Sequence, residues 1–384
     1  MFGKNFKFKN FKKTRIDLKV KKNFKSLLKE NNQVLGSLKS SYRNNYDIKK
    51  ILKLKKNLRI RIIGMGGSIL GAKAIYNFLS VKKKIFFIDN LSTKFNFKKD
   101  NYLNIIISKS GNTLETIANS KILISKKDKN IFITDNKKSF LNNLAEKLKS
   151  EVIHHNNFIG GRYSVLSEVG MLPAELMGLN PNKFRQLNNL IKNKHFINEL
   201  IFNVSSILSY AKNKKYNSIL LNYNPNFKDF LEWYKQLVSE SLGKKSKGIL
   251  PIISNMPKDN HSTMQSYLDG FNNNFFSIFF SKDDNSKRII NKRFLDDHEL
   301  LKNKTINQIL YSQKIATERV FLKKKIPFRG FEINKLDEKT LGELFCFFIL
   351  ETILIGKSLN LNPYDQPAVE LIKKETTKIL IKNR

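Results

Sequence analysis

A single cysteine, Cys346, stands in 384 residues. An internal disulfide is therefore excluded, and its place in the apolar run 344–350 predicts a buried, inert thiol. Such sparing use suits a reducing compartment, the cytoplasm. Long hydrophobic runs are missing too. The most apolar stretch, 341–356, contains Glu343 and Glu351 and is too short to cross a bilayer. No apolar core follows the first lysines, so no secretory leader is read there. The Lys/Phe alternation of 1–22 is read as part of a packing segment through Phe11, Ile16, Leu18 and Phe24 rather than as a basic targeting arm. Acidic residues are scarce: 32 against 71 basic ones, a net charge of +39. Basic patches hold nucleic acid electrostatically. Here the lysines spread along the whole chain, with no zinc-finger spacing and no aromatic RNA-binding signature. The charge is read as solvated surface that attracts anionic substrates. Metal-ligand spacing is absent as well. His154-His155 ends a strand, His195 lies in a polar linker, and the adjacent residues of Asp296-Asp297-His298-Glu299 diverge on a helix, so no metal is expected.

What is present is an ordinary globular balance, 41% apolar and 27% charged, in a length that favours two domains. Short β-rich runs at 58–63, 84–88, 104–107, 130–134 and 151–154 alternate with helix-period stretches at 72–79, 113–125 and 141–148. That is a βαβ series, and it predicts a parallel sheet between helices. A Pro- and Asn-bearing stretch at 178–182 and a polar one at 188–194 mark the passage to a second α/β pattern. Strands are expected there at 218–221, 248–253 and 275–280. Helices are expected at 226–242 (ended by Gly243), at 337–359, and from about 366 into the 370s. The division is drawn as 1–190, an N-terminal region plus the first αβα domain, and 191–384, the second αβα domain plus a terminal helix.

Two turns carry the chemistry. Gly64-Met65-Gly66-Gly67-Ser68 follows one strand. Ser108-Lys109-Ser110-Gly111-Asn112-Thr113-Leu114-Glu115-Thr116 follows another. Each points backbone N–H groups and hydroxyls into a space where a phosphate can sit. The first resembles a dinucleotide fingerprint, but Ile69 stands where the third glycine belongs. It reads equally as ligand contact or as a tight strand–helix turn. The second has capping-box-like spacing at Asn112 and Glu115, and its hydroxyls plus an ammonium exceed what a cap needs. Gly160-Gly161-Arg162-Tyr163-Ser164 places an oxyanion-binding arginine behind flexible glycines. Glu240 lies near the end of its helix, one turn after Gln236, and is read either as a general base or as a solvated carboxylate. His261, in Asp259-Asn260-His261-Ser262, is a loop histidine suited to proton exchange.

Together these pieces resemble the phosphoglucose isomerase family. The likeness runs in order from about 62 to 374. It rests on 64–68, 108–116, Gly-Gly-Arg-Tyr-Ser-Val-Leu-Ser at 160–167, Gly-Met-Leu-Pro at 170–173, Gln-Leu-Val-Ser-Glu-Ser-Leu-Gly-Lys at 236–244, Asp-Asn-His-Ser-Thr-Met-Gln at 259–265 and Asn-Pro-Tyr-Asp-Gln-Pro-Ala-Val-Glu at 362–370. The resemblance implies two αβα domains of sugar-isomerase type with parallel-dominated sheets. It implies an aldose–ketose isomerase of glycolysis and gluconeogenesis that interconverts glucose 6-phosphate and fructose 6-phosphate through ring opening and a cis-enediolate, without a cofactor. By resemblance, Ser108, Lys109, Ser110 and Thr113 hold the phosphate, and Gly67, Ser68, Gly161, Gln236 and Gln366 line the sugar. His261, donated by a partner in a homodimer, and Lys373 open the ring. Glu240 moves the proton between C1 and C2, and Arg162 stabilises the anion. Two positions depart from the family: Ala368 replaces its usual glycine, and Ile372 stands where a glycine usually precedes the catalytic lysine. The spacing from Gln366 selects Lys373 over Lys374. The rival readings are a non-catalytic sugar-phosphate regulator, a nucleic-acid binder driven by charge, and an isomerase that also accepts mannose 6-phosphate.

Overall fold

The structure, a computed structural model, describes residues 5–12, 15–55, 58–92, 101–283, 286 and 299–382. Its strands are β1 (Phe6–Lys9), β2 (Arg59–Gly64), β3 (Ile85–Ile88), β4 (Tyr102–Ile107), β5 (Lys129–Thr134), β6 (Glu151–His154), β7 (Asn217–Asn222), β8 (Leu250–Asn255), β9 (Asn274–Ser281) and β10 (Phe328–Ile333). They form two five-stranded sheets, ordered β3-β2-β4-β5-β6 and β1-β10-β9-β7-β8. The first is parallel throughout; the second is parallel except for β1, which runs antiparallel to β10. The expected pair of αβα layers is therefore present.

The isoleucine-rich strands dictate the layering. Alternate residues of a strand face opposite sides. Ile62, Ile105 and Ile131 enter the large core shared by both halves, whereas Ile63, Ile106 and Phe132 enter a separate cluster under the outer helices. The second sheet repeats this arrangement, with Leu220, Phe279 and Phe331 inward and Ile219, Leu221 and Ile278 outward. A strand buried on both faces reads as a continuous apolar run, which is why β2, β4 and β5 stand out in the sequence.

Topology places the ligand site. From β2 the chain first goes to β3 on one side and then to β4 on the other. The switch point of the first sheet thus lies between β2 and β4, where an open α/β sheet binds ligands at its carboxyl edge. Gly64 and Ile107 are paired in register at that edge. The turns at 64–68 and 108–113 therefore leave the sheet side by side.

Several elements were not expected. β1 and β10 complete the second sheet. The supposed linker at 188–194 leads into the long helix Lys194–Lys212, capped by Asn193, so His195 lies in a helical first turn. The N-terminal segment does pack, through Phe6, Phe11 and Phe24, but Ile16 is 46% exposed and Leu18 77% exposed. These two face water at the entry of the Leu18–Lys29 helix, whose buried face is Val20, Phe24 and Leu27. Cys346 is buried, and burial pushes its thiol up to about 12. No described helix is long and apolar enough to cross a membrane.

Candidate active site

The turn after β4 is built around an uncapped helix start. Ser108 is buried, and its hydroxyl lies 2.8 Å from that of Thr113. Thr113 is the N-cap of the Leu114–Leu123 helix, yet its side chain makes no capping bond. The first-turn N–H groups of this helix are thus left without a side-chain cap, at the positive end of its dipole. Asn112 does not cap it, contrary to the spacing argument. Its carbonyl oxygen accepts from the backbone N–H of Phe140, at 2.9 Å, and so ties the turn to the next helix. Gly111 has φ +65°, and a Cβ there would lie 2.1 Å from the Ser139 hydroxyl, so only glycine makes this turn. Ser110 is exposed and accepts from Asn112 N–H at 3.2 Å. Lys109 donates to the Asn157 carbonyl at 2.7 Å; burial pushes its ammonium pKa down, against the opposing pull of the Asp135 carboxylate.

The turn after β2 is pressed against the loop that carries Arg162. A Cβ on Gly67 would lie 2.2 Å from the Gly161 carbonyl carbon, so the two backbones cross with no room for a side chain. Ser164 pins the crossing by donating to the Gly161 carbonyl at 2.7 Å. Ser68 stays half-buried beside it.

From the other half comes the Lys228–Leu242 helix. It packs on the Leu70–Phe78 helix through Phe78, Phe227 and Phe230, which carries its carboxyl end across to the first sheet. Gln236 donates to the Glu240 carboxylate at 2.8 Å, while its own carbonyl oxygen is buried and unpartnered. Arg162, 1% exposed, reaches the other carboxylate oxygen of Glu240 at 3.3 Å with Nη1. The same Nη1 donates to Gln366. Arg162 thus joins the 160–167 turn to the Lys228–Leu242 helix and the 362–366 loop, and the β2 turn lies against the same helix, since a Cβ on Gly66 would be 2.7 Å from Gln236 Nε2. Glu240 and Gln366 also line an adjoining cavity of about 430 Å³ with Lys244, Pro367 and Val369.

A family model described as phosphoglucose isomerase matches residues 29–250. The chain belongs to the phosphoglucose isomerase family. A glucose-6-phosphate isomerase from Methanocaldococcus jannaschii is 33% identical over 365 residues, covering 90% of each chain. Among solved structures, a hypothetical protein from Thermus thermophilus superposes with TM-score 0.79 at 20% identity, covering 94% of both chains. A glucose-6-phosphate isomerase from Chlamydia trachomatis superposes with TM-score 0.65 at 22% identity, covering 86% of this chain and 71% of that one. These two carry the fold.

Two residues that the phosphoglucose isomerase resemblance places in the site stand apart from it within this chain. His261 ends the 3-10 turn Lys258–His261 beyond β8, is exposed, and does not line the Glu240 cavity. Lys373 is exposed on the Val369–Lys382 helix and pairs with Glu370 at 2.7 Å. No residue of that helix is buried. The cluster at 296–299 lies outside the described residues except for Glu299. Three residues escaped the sequence reading although they lie inside the quoted motifs. Ser241 and Tyr163 bind around Arg162. Lys244 donates to the carbonyls of Asn362 and Asp365 and so holds the loop that bears Gln366. Their only signal was adjacency to Glu240, Arg162 and Gly243.

Proposed function

We infer that this protein is an aldose–ketose isomerase that interconverts glucose 6-phosphate and fructose 6-phosphate. The observation that carries the reading is Glu240, whose carboxylate is held between Gln236 and Arg162, with Gln236 packed against Gly66 of the β2 turn. A phosphate dianion fits the uncapped helix start with Ser108, Ser110, Thr113 and Lys109 around it. That fixes the sugar's far end, while Gly67, Ser68, Gly161, Gln236 and Gln366 border the near end. Ring opening needs an acid and a base at O5 and O1, roles that fall to His261 and Lys373. Glu240 then removes the C2 proton of the open aldose, which the neighbouring carbonyl acidifies, and returns it at C1. Charge builds on O1 and O2 of the cis-enediolate, where the Arg162 guanidinium supplies fixed positive charge. The carbonyl is the only electron sink this chemistry needs, so the reading includes no cofactor or metal.

The reading extends to a homodimer with divisions at 1–190 and 191–384, working in the cytoplasm. Two observations favour the dimer: His261 is exposed, and the Val369–Lys382 helix keeps Leu371, Ile372, Leu380 and Ile381 in water, each at least 51% exposed. The test is a coupled assay of the purified protein with fructose 6-phosphate, following glucose 6-phosphate. Glu240→Gln is expected to lower kcat by about 10²–10⁴-fold with KM little changed. Near-normal turnover in that variant removes Glu240 from its role. A wild-type protein that binds fructose 6-phosphate without turnover is instead a regulator on this fold.

A further inference from the structure

Around Arg162 the hydrogen bonds can be assigned a direction without seeing a proton. Nη2 donates to the Pro363 carbonyl at 2.7 Å and to the Asp365 carbonyl at 3.0 Å. Nε donates to Ser241 Oγ at 2.7 Å. Tyr163 Oη lies 2.9 Å from Ser241 Oγ and 2.9 Å from the Pro363 carbonyl. A carbonyl can only accept, so Tyr163 donates its one proton to Pro363. It must then accept from Ser241, and Ser241, its proton spent there, can only accept from Arg162. The result is a closed ring: Arg162 Nε to Ser241, Ser241 to Tyr163, Tyr163 to Pro363, with Pro363 also accepting from Arg162 Nη2. Burial pushes the Tyr163 phenol pKa up, which keeps its proton in the ring.

The ring occupies three of the five guanidinium N–H groups, counting Asp365 at its border, and leaves Nη1 alone facing Glu240 and Gln366. It also joins three distant parts of the chain: the 160–167 turn, the Lys228–Leu242 helix and the 362–366 loop. We propose that Ser241 and Tyr163 are positioning residues for the isomerisation, which fix the rotation of the Arg162 fork so that only its Nη1 edge meets the reacting oxygens. Without Ser241, Nε–H has no acceptor, Tyr163 loses its donor, and the fork can turn out of register. This rests on the isomerase reading above.

The experiment measures kcat and KM with fructose 6-phosphate for Ser241→Ala, Tyr163→Phe and both together, in the wild-type and in the Arg162→Lys background. A misaimed group costs about 10- to 100-fold in rate. Each single variant is therefore expected to lose that much kcat with KM held within about twofold, the pair to lose no more than either alone, and the losses to vanish in the Arg162→Lys background. Unchanged kcat, or equal losses with and without Arg162, overturns the proposal. Tyr163→Phe keeps the packing volume, so it serves if Ser241→Ala does not fold. An independent readout is proton exchange at the Arg162 Nε–H, followed by ¹⁵N-edited NMR. It is expected to be slow in the wild type and faster in Ser241→Ala, and equal rates refute the ring. A wild-type protein without turnover overturns the isomerase reading and, with it, the proposed catalytic role, whereas the exchange rates report on the ring itself.

Discussion

Glu343 is 4% exposed, one of its carboxylate oxygens is buried without a hydrogen-bond partner, and burial pushes its pKa from the ordinary 4.5 to about 7. Between those values the folded chain holds a proton that the unfolded chain has released. Stability from this group is therefore present below pH 4.5 and is lost as pH rises towards 7. A shift of this size corresponds to about 2–3 kcal/mol. Glu343→Gln removes the titration. Relative to wild type, the variant is expected to gain about 2 kcal/mol between pH 4.5 and pH 8, read by denaturant unfolding at both values. Parallel pH profiles would show that the wild-type carboxyl reaches water. The contrast between Cys346 and Asn112 explains what single residues disclosed. An apolar neighbourhood along the chain predicted the burial of Cys346, because its own helix Glu338–Ser358 is buried almost throughout. The role of Asn112 depended on the Phe140 N–H, more than twenty residues away, and spacing alone assigned its side chain to the wrong helix.

At the crossing of the β2 turn over the 160–167 turn, backbone meets backbone. Gly67→Ala would force its Cβ into the Gly161 backbone, which has no side chain to swing aside. The expected outcome is about 1–3 kcal/mol of destabilisation, together with a clear fall in kcat/KM as Gly161 and Arg162 shift. Thermal unfolding and the coupled assay measure the two effects, and a variant with unchanged kcat/KM would show that the joint does not set Arg162. Elements whose stabilising partners are local were legible. β2, β4 and β5 announce themselves by isoleucines, and the turns that follow them by glycine and hydroxyls. β10 was not legible, because Arg329 sits inside it. That charge is buried only because Glu351 and Asn203, from two other helices, meet it, with Tyr234 completing the cluster. β1 was hidden in Lys/Phe alternation that reads equally as a packing arm, and its pairing with β10 is visible only in three dimensions. The same division runs through the site. The form of the 108–113 turn lies in one contiguous stretch and could be read, whereas the Arg162 ring draws on residues 162, 163, 241 and 363 and could not.

At the scale of the whole molecule, the +39 charge and the exposed terminal helix act on different steps. Surface charge raises the encounter rate of a dianionic sugar phosphate and is screened by salt over a Debye length of about 8 Å at physiological ionic strength. On the isomerase reading, kcat/KM is therefore expected to fall from 50 to 500 mM NaCl (about tenfold in concentration) while kcat stays nearly constant. A salt-independent kcat/KM would mean that encounter does not limit the enzyme. The proposed dimer concerns completeness of the site rather than encounter. Within one chain Glu240 and Arg162 are joined, but His261 stands in solvent outside their cavity. If a partner chain supplies it, Glu240→Gln and His261→Ala each spoil every site of their own homodimer. Mixing and re-associating the two variants places both lesions in one site of each mixed dimer and leaves its other site intact, so about a quarter of wild-type activity should return. If His261 serves its own chain, every site in the mixture keeps one lesion and nothing returns. Replacing Leu371, Ile372, Leu380 and Ile381 by serine in one variant, with Lys373 kept, separates the roles of the two features. Recovery that disappears with these side chains assigns them to the subunit contact, and recovery that persists assigns the contact to another face.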